Sequence, residues 1–153
     1  RSMAYERAIK RLDSGIEVVS RSCPLFVPIV EEGLEHDEVA RIMAERYLAE
    51  FSKSGIDTLV MGCTHYPVLE DIIHDVMGHG VAIVHTGKET AKAVKETLES
   101  DGILNTSGRG GCEFFVTDSP DLFKEVGGRF LEEPLKKVTF VKNLDYKDFL
   151  LST

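Results

Sequence analysis

Hydrophobic positions in this chain change period several times, and each change marks an element. Thr58-Leu59-Val60-Met61 is a short apolar run. After it, Val68, Leu69, Ile72, Ile73 and Val76 recur at helical spacing. Together they predict a buried strand followed by a helix, with Pro67 at the helix start, where its missing N–H costs nothing. Residues 81–84 form a second apolar strand, and Ala91, Val94 and Leu98 mark one face of a helix opened by Thr86 or Gly87. Upstream, Ala4, Ala8, Ile9 and Leu12 form one face of an opening helix that stops near Gly15. Residues 16–20 read as a short strand, and Cys23-Pro24 begins a loop that contains Pro28 and runs to Gly33. From 37 to 54 the pattern is helical again. Val39, Ile42, Met43 and Tyr47 are expected to face inward, with Asp37 and Glu38 in the first turn and Gly55 as the stop. Residues 105–111 are a flexible loop, 113–117 a strand, 138–141 a last strand. Between those strands Ser119-Pro120 caps a helix running to about Leu131.

Strands alternating with helices imply parallel pairing and an α/β fold, a parallel sheet flanked by helices. A length of 153 residues allows one ordinary domain, or one plus part of another. No apolar run approaches the roughly 20 residues that cross a bilayer, so no membrane partner is expected. The opening residues read as an amphipathic helix and not as a signal peptide. A net charge of −8 argues against nucleic acid as a partner, because that binding relies on a basic footprint. Three cysteines without CxxC spacing suit a reduced, cytoplasmic protein better than a disulfide framework.

The chemistry concentrates in Gly62-Cys63-Thr64-His65-Tyr66-Pro67. Here a buried strand ends at a thiol just before a helix, and α/β folds bind ligands beyond the carboxyl ends of their strands. The helix dipole favours thiolate over thiol at Cys63, and His65 can supply or remove a proton. Thr64 offers a hydroxyl and a backbone N–H to a carboxylate, by the anion logic of a helix N-terminus. Each residue also has a plainer reading: an inert buried cysteine, a turn threonine, a histidine that caps the helix. Cys23, before a proline, and Cys112, after glycines, read as structural. Cys63, His65 and Cys23 lack the paired spacing of a structural zinc site, so no metal is expected. Gly108-Arg109-Gly110-Gly111 leads into a strand, whereas a dinucleotide fingerprint follows one.

These residues carry a resemblance. Tyr5-Glu6 after Arg1-Ser2, Cys23-Pro24-Leu25-Phe26-Val27-Pro28, Val30-Glu31-Glu32-Gly33, the block from Gly62 to Pro67, and Phe115-Val116-Thr117-Asp118-Ser119-Pro120 resemble the second half of bacterial glutamate racemases. These belong to the cofactor-independent aspartate/glutamate racemase superfamily. The likeness implies two α/β domains with the active site in the cleft between them, each giving one cysteine. Residues 1–90 would be the second domain without its first strand, and 91–153 the segment that returns to the first. It also implies that Cys63 takes the Cα proton of L-glutamate, that His65 serves that thiol, and that Glu31 lines the cleft, with Glu32 the competing alignment. Thr64 would hold the substrate carboxylate, and no cofactor would be needed. The implied product is D-glutamate for peptidoglycan, made in the cytoplasm.

The family's first half carries the other cysteine block, of Ala-Cys-Asn-Thr type, and an Asp-Ser pair near its N-terminus, and neither of those segments has a counterpart in this sequence. The chain therefore reads as a fragment, inactive alone, whose partners are glutamate, the missing N-terminal half and further copies of itself. Arg1-Ser2-Met3 also fits a remnant before a start codon, but Arg-Ser-x-x-Tyr matches the family pattern. A non-catalytic assembling fragment and an aspartate-type racemase are the alternatives. Phe114, Phe115, Val116 and Phe130 should normally pack on the absent domain, and are expected to lie exposed, mobile or paired with another copy.

Overall fold

The computed structural model describes residues 2–108 and 110–142; Arg1 of the Arg1-Ser2 segment and Arg109 of the glycine loop lie outside the described residues. The chain divides into two compact units, Arg1–Ala91 and Lys92–Thr153.

The first unit carries α1 (Ala4–Leu12), α2 (Phe26–Glu31) and α3 (Glu38–Leu48), then β1 (Thr58–Met61). A 3-10 turn (Tyr66–Leu69), α4 (Glu70–Met77) and β2 (Ala82–His85) follow, and α5 (Thr86–Ser100) starts in this unit. β1 and β2 pair in parallel, with Thr58 opposite Ala82 and Met61 opposite His85. Parallel neighbours need a crossover, and the 3-10 turn with α4 supplies it. Gly78 ends α4 at φ 84° and ψ 155°, a conformation open essentially to glycine alone, and so turns the chain back towards β2.

The core of this unit lies where α2, α3, α4 and the 3-10 turn meet. Phe26, Val30, Ala40, Ala44, Met61, Leu69 and Ile73 are all buried. Phe26 sits edge-on to Tyr47 and to Tyr66, with ring centroids 5.4 Å and 5.3 Å away, the preferred geometry of aromatic pairs. Asp37 caps α3, its Oδ1 accepting from the Val39 N–H at 2.9 Å.

Several details differ from the sequence expectation. The helical pattern expected over 37–54 is α3 to Leu48 followed by a separate 3-10 turn, Phe51–Lys53. Residues 16–20 have no strand pairing, and Ile16 and Val19 are exposed, because a strand needs a neighbour and none pairs with them among the described residues. The segment expected as a loop after Cys23 contains α2; Pro28 is its third residue, inside the first turn, where an N–H has no helical partner to lose. The buried stripe of α3 is Ala40, Ala44 and Leu48, while Val39 and Ile42 are exposed. Two alanines let α3 approach α4 closely, and that packing outweighs the larger apolar side chains on the flank. Finally, the α-helix after the motif begins at Glu70; Pro67 is instead the second residue of the 3-10 turn before it.

The second unit holds β3 (Phe114–Val116), α6 (Pro120–Leu131) and β4 (Val138–Phe140), a parallel βαβ arrangement with Phe114 opposite Val138. Ser119 Oγ accepts from the Leu122 N–H at 3.3 Å and caps α6, as the Ser-Pro pair predicts. Gly127 lies so close to Leu135 that an added Cβ would fall 2.8 Å from its Cδ1. Leu135 is the one buried hydrophobic residue among the described residues of this unit. Phe115 is exposed, whereas Phe114, Val116 and Phe130 are half-buried. The face expected to be bare is therefore only partly so. No helix among the described residues is long and apolar enough to cross a membrane.

Phe26→Ala should lower stability by about 3–5 kcal/mol, because it empties the centre of the first core. Phe115→Ala should cost less than about 1 kcal/mol, as for an exposed site. Urea midpoints of the two variants check this contrast.

Candidate active site

Cys63 stands two residues beyond the end of β1, and β1 ends level with β2. The thiol therefore lies at the carboxyl edge of the parallel pair, the place where such sheets bind ligands. It is half-buried, neither sealed in the core nor fully exposed. Gly62 before it is overlaid by the Tyr5 ring of α1: an added Cβ would fall 3.0 Å from Tyr5 Cε2. A side chain at position 62 would push that ring away.

The structure brings the other sequence-predicted residues together around His65. Its Nε2 lies 3.3 Å from Glu31 Oε1, at the end of α2, and its Nδ1 lies 3.3 Å from the Thr64 hydroxyl. The imidazole is thus held between a carboxylate and a hydroxyl, which fixes the ring plane. Glu31 is about half exposed, so this contact orients the ring more than it stabilises the fold. Glu32, the competing residue, caps the end of α2 and is exposed. Thr64 precedes a 3-10 turn and not an α-helix, so less of a helix dipole acts on it than the sequence suggests.

Cys23 has the opposite environment from a reactive thiol. It is 4% exposed, and burial pushes its thiol up from 9.0 to about 11. Its backbone carbonyl accepts a hydrogen bond from the Tyr66 hydroxyl at 3.3 Å. Burial raises the Tyr66 hydroxyl as well, and the nearby sulfurs of Cys23 and Cys63 add to that rise. Tyr66 thus ties the segment before α2 to the segment after Cys63. Cys112 is exposed in the second unit.

Sequence reasoning missed three neighbours of the motif. His85 Nε2 donates to Glu70 Oε1 at 2.6 Å, and the Thr86 hydroxyl donates to the Met61 carbonyl at 3.0 Å. The available signal was the pairing of two parallel strands, which sets the residues after β2 beside those after β1. A concavity of about 370 Å³ is lined by Glu70, Asp71, His74, Asp75 and His79; Cys63 does not line it. No group of three or more His, Cys, Asp or Glu side chains among the described residues has the arrangement of a metal site.

The Cys23 thiol sets a pH dependence. The native chain keeps that proton to higher pH than the unfolded chain, so unfolding releases a proton between about pH 9 and 11. Stability should fall as pH rises through that window, and the Tyr66 hydroxyl adds the same sign at the upper end. Urea midpoints at pH 8 and pH 10.5 should converge in Cys23→Ala relative to the unsubstituted chain.

Comparison with known proteins gives the geometry a context. No family profile matches the chain. A glutamate racemase of Geobacter metallireducens is 48% identical over 132 residues, 86% of this chain and 49% of the relative. One from Thermoanaerobacter sp. is 40% identical over 140 residues, 92% of this chain and 53% of the relative. Among solved structures, glutamate racemase RacE1 of Bacillus anthracis superposes with a TM-score of 0.84 at 34% identity, over 92% of this chain and 52% of that one. The Francisella tularensis enzyme, solved in complex with D-glutamate, gives a TM-score of 0.84 at 32% identity, over 94% of this chain and 53% of that one. The chain spans about half the length of the curated relatives it matches. By sequence and by fold, over nearly all of its own length, this α/β chain is a homologue of the glutamate racemases.

Proposed function

We propose that this chain supplies one side of a glutamate racemase active site, with Cys63 as one of two opposed bases. The observation that carries this reading is a half-buried thiol at the carboxyl edge of a parallel strand pair, next to a histidine held by Glu31, in a chain 48% identical to a glutamate racemase. In the reading, the Cα–H bond of L-glutamate breaks and the proton passes to the Cys63 thiolate. The electron pair stays on carbon, and a thiol on the opposite face returns a proton to give D-glutamate. Two fixed bases avoid swinging one group across the substrate, and a thiol suits both roles because its reference pKa of about 8.5 is near neutrality.

His65 serves Cys63 as proton partner, Glu31 orients that imidazole, and Thr64 holds a substrate carboxylate. Without a cofactor as electron sink, the carbanion depends on electrostatic stabilisation and on exclusion of water. The opposite thiol belongs to the remainder of the enzyme, which this chain's own sequence does not contain. On this reading residues 1–90 correspond to the second racemase domain and 91–153 to the segment returning to the first. The parent enzyme works in the cytoplasm and provides D-glutamate for peptidoglycan.

The test uses circular dichroism of L-glutamate. The chain alone should give no sustained racemisation. Mixed with the N-terminal half of the Geobacter metallireducens relative, it should racemise, and Cys63→Ser should lower that rate by about 100-fold or more. Sustained racemisation by the chain alone, or an unchanged rate in Cys63→Ser, would refute the reading.

A further inference from the structure

The span that carries the proposed base is anchored at both ends by two consecutive residues. Met61 immediately precedes the span 62–69, and its carbonyl accepts from the Thr86 hydroxyl at 3.0 Å. Glu70 immediately follows the span, and its carboxylate accepts from His85 Nε2 at 2.6 Å. His85 is the last residue of β2 and Thr86 the first of α5. His85 is 9% exposed, so its bond to Glu70 is shielded from water on the imidazole side, where such bonds are stronger.

We propose that His85 and Thr86 are positioning residues that clamp the span 62–69, and with it the Cys63 sulfur, to the neighbouring strand. The span needs such restraint. It starts at a glycine, the residue with the most backbone freedom, and runs through a loop and a 3-10 turn before regular helix begins at Glu70. Between its ends it is held by side-chain contacts of His65 and Tyr66 and not by strand pairing. The two bonds tie both ends to one point, the junction of β2 and α5. Proton transfer demands near-contact placement of donor and acceptor, so a loose span would cost rate without changing which groups are present.

The catalytic consequence rests on Cys63 being a base, but the clamp itself does not, so its test uses no substrate. In the full chain, the rate of Cys63 alkylation by iodoacetamide is followed by peptide mass spectrometry, with exposed Cys112 as the internal reference. Amide exchange over 62–69 is followed alongside. Thr86→Val keeps the shape and removes the hydroxyl; Thr86→Ser keeps the hydroxyl. Thr86→Val should change the Cys63 rate by about threefold or more and quicken exchange over 62–69, with the Cys112 rate and the urea midpoint of the fold little altered. Thr86→Ser should restore both, and His85→Leu should act like Thr86→Val. A smaller change at Cys63 in Thr86→Val, or no rescue by Thr86→Ser, overturns the proposal. So does an equal change at Cys112, which marks general loosening. Should His85→Leu fail to fold, the two Thr86 variants still decide.

Discussion

Parallel pairing of β1 with β2 is the constraint on which the first unit depends. It sets Met61 level with His85, and so brings the residues after each strand to one edge. Everything proposed to act chemically follows from that edge. Cys63 lies just past β1, Thr86 and His85 meet the same segment from β2, and α4 closes the crossover between them. A register shift of one residue would turn alternate side chains to the opposite face and separate these groups.

The second constraint is the aromatic centre beneath the motif. Phe26 packs edge-on to Tyr66, and the Tyr66 hydroxyl reaches the Cys23 carbonyl. The segment holding Glu31 is thereby fixed to the segment holding His65, which explains how a carboxylate 34 positions upstream meets the imidazole. The two kinds of cysteine environment follow from the same packing. Cys23 is enclosed by that core and its thiol is pushed up, while Cys63 stays at the edge.

Much of this was legible in the sequence, and the exceptions have physical causes. Both strand pairs, the cap at Ser119 and the end of α6 follow from apolar runs and capping residues that act locally. The six-residue motif pointed to a candidate site because a thiol, a hydroxyl and an imidazole rarely share a strand end by chance. The α3 face was misread because periodicity weighs large apolar side chains, whereas close helix approach selects Ala40 and Ala44. Helix α2 was hidden by two prolines, one of which sits where a helix tolerates it. Residues 16–20 have strand-like composition, but strands are made by partners, and composition does not supply one. The bonds from His85 and Thr86 join positions 15 and 25 residues apart, and only the strand register reveals them.

The central claim is that the Cys63 sulfur exchanges a proton with the α-carbon of an acidic amino acid. Its most direct test is proton NMR of deuterium entering Cα of L-glutamate in D2O, with the chain assembled with the N-terminal half of its Geobacter metallireducens relative, with and without Cys63→Ser. The account predicts that exchange starting from L-glutamate is lost when the sulfur is replaced by oxygen. Exchange from L-glutamate that continues at the same rate in Cys63→Ser would contradict it.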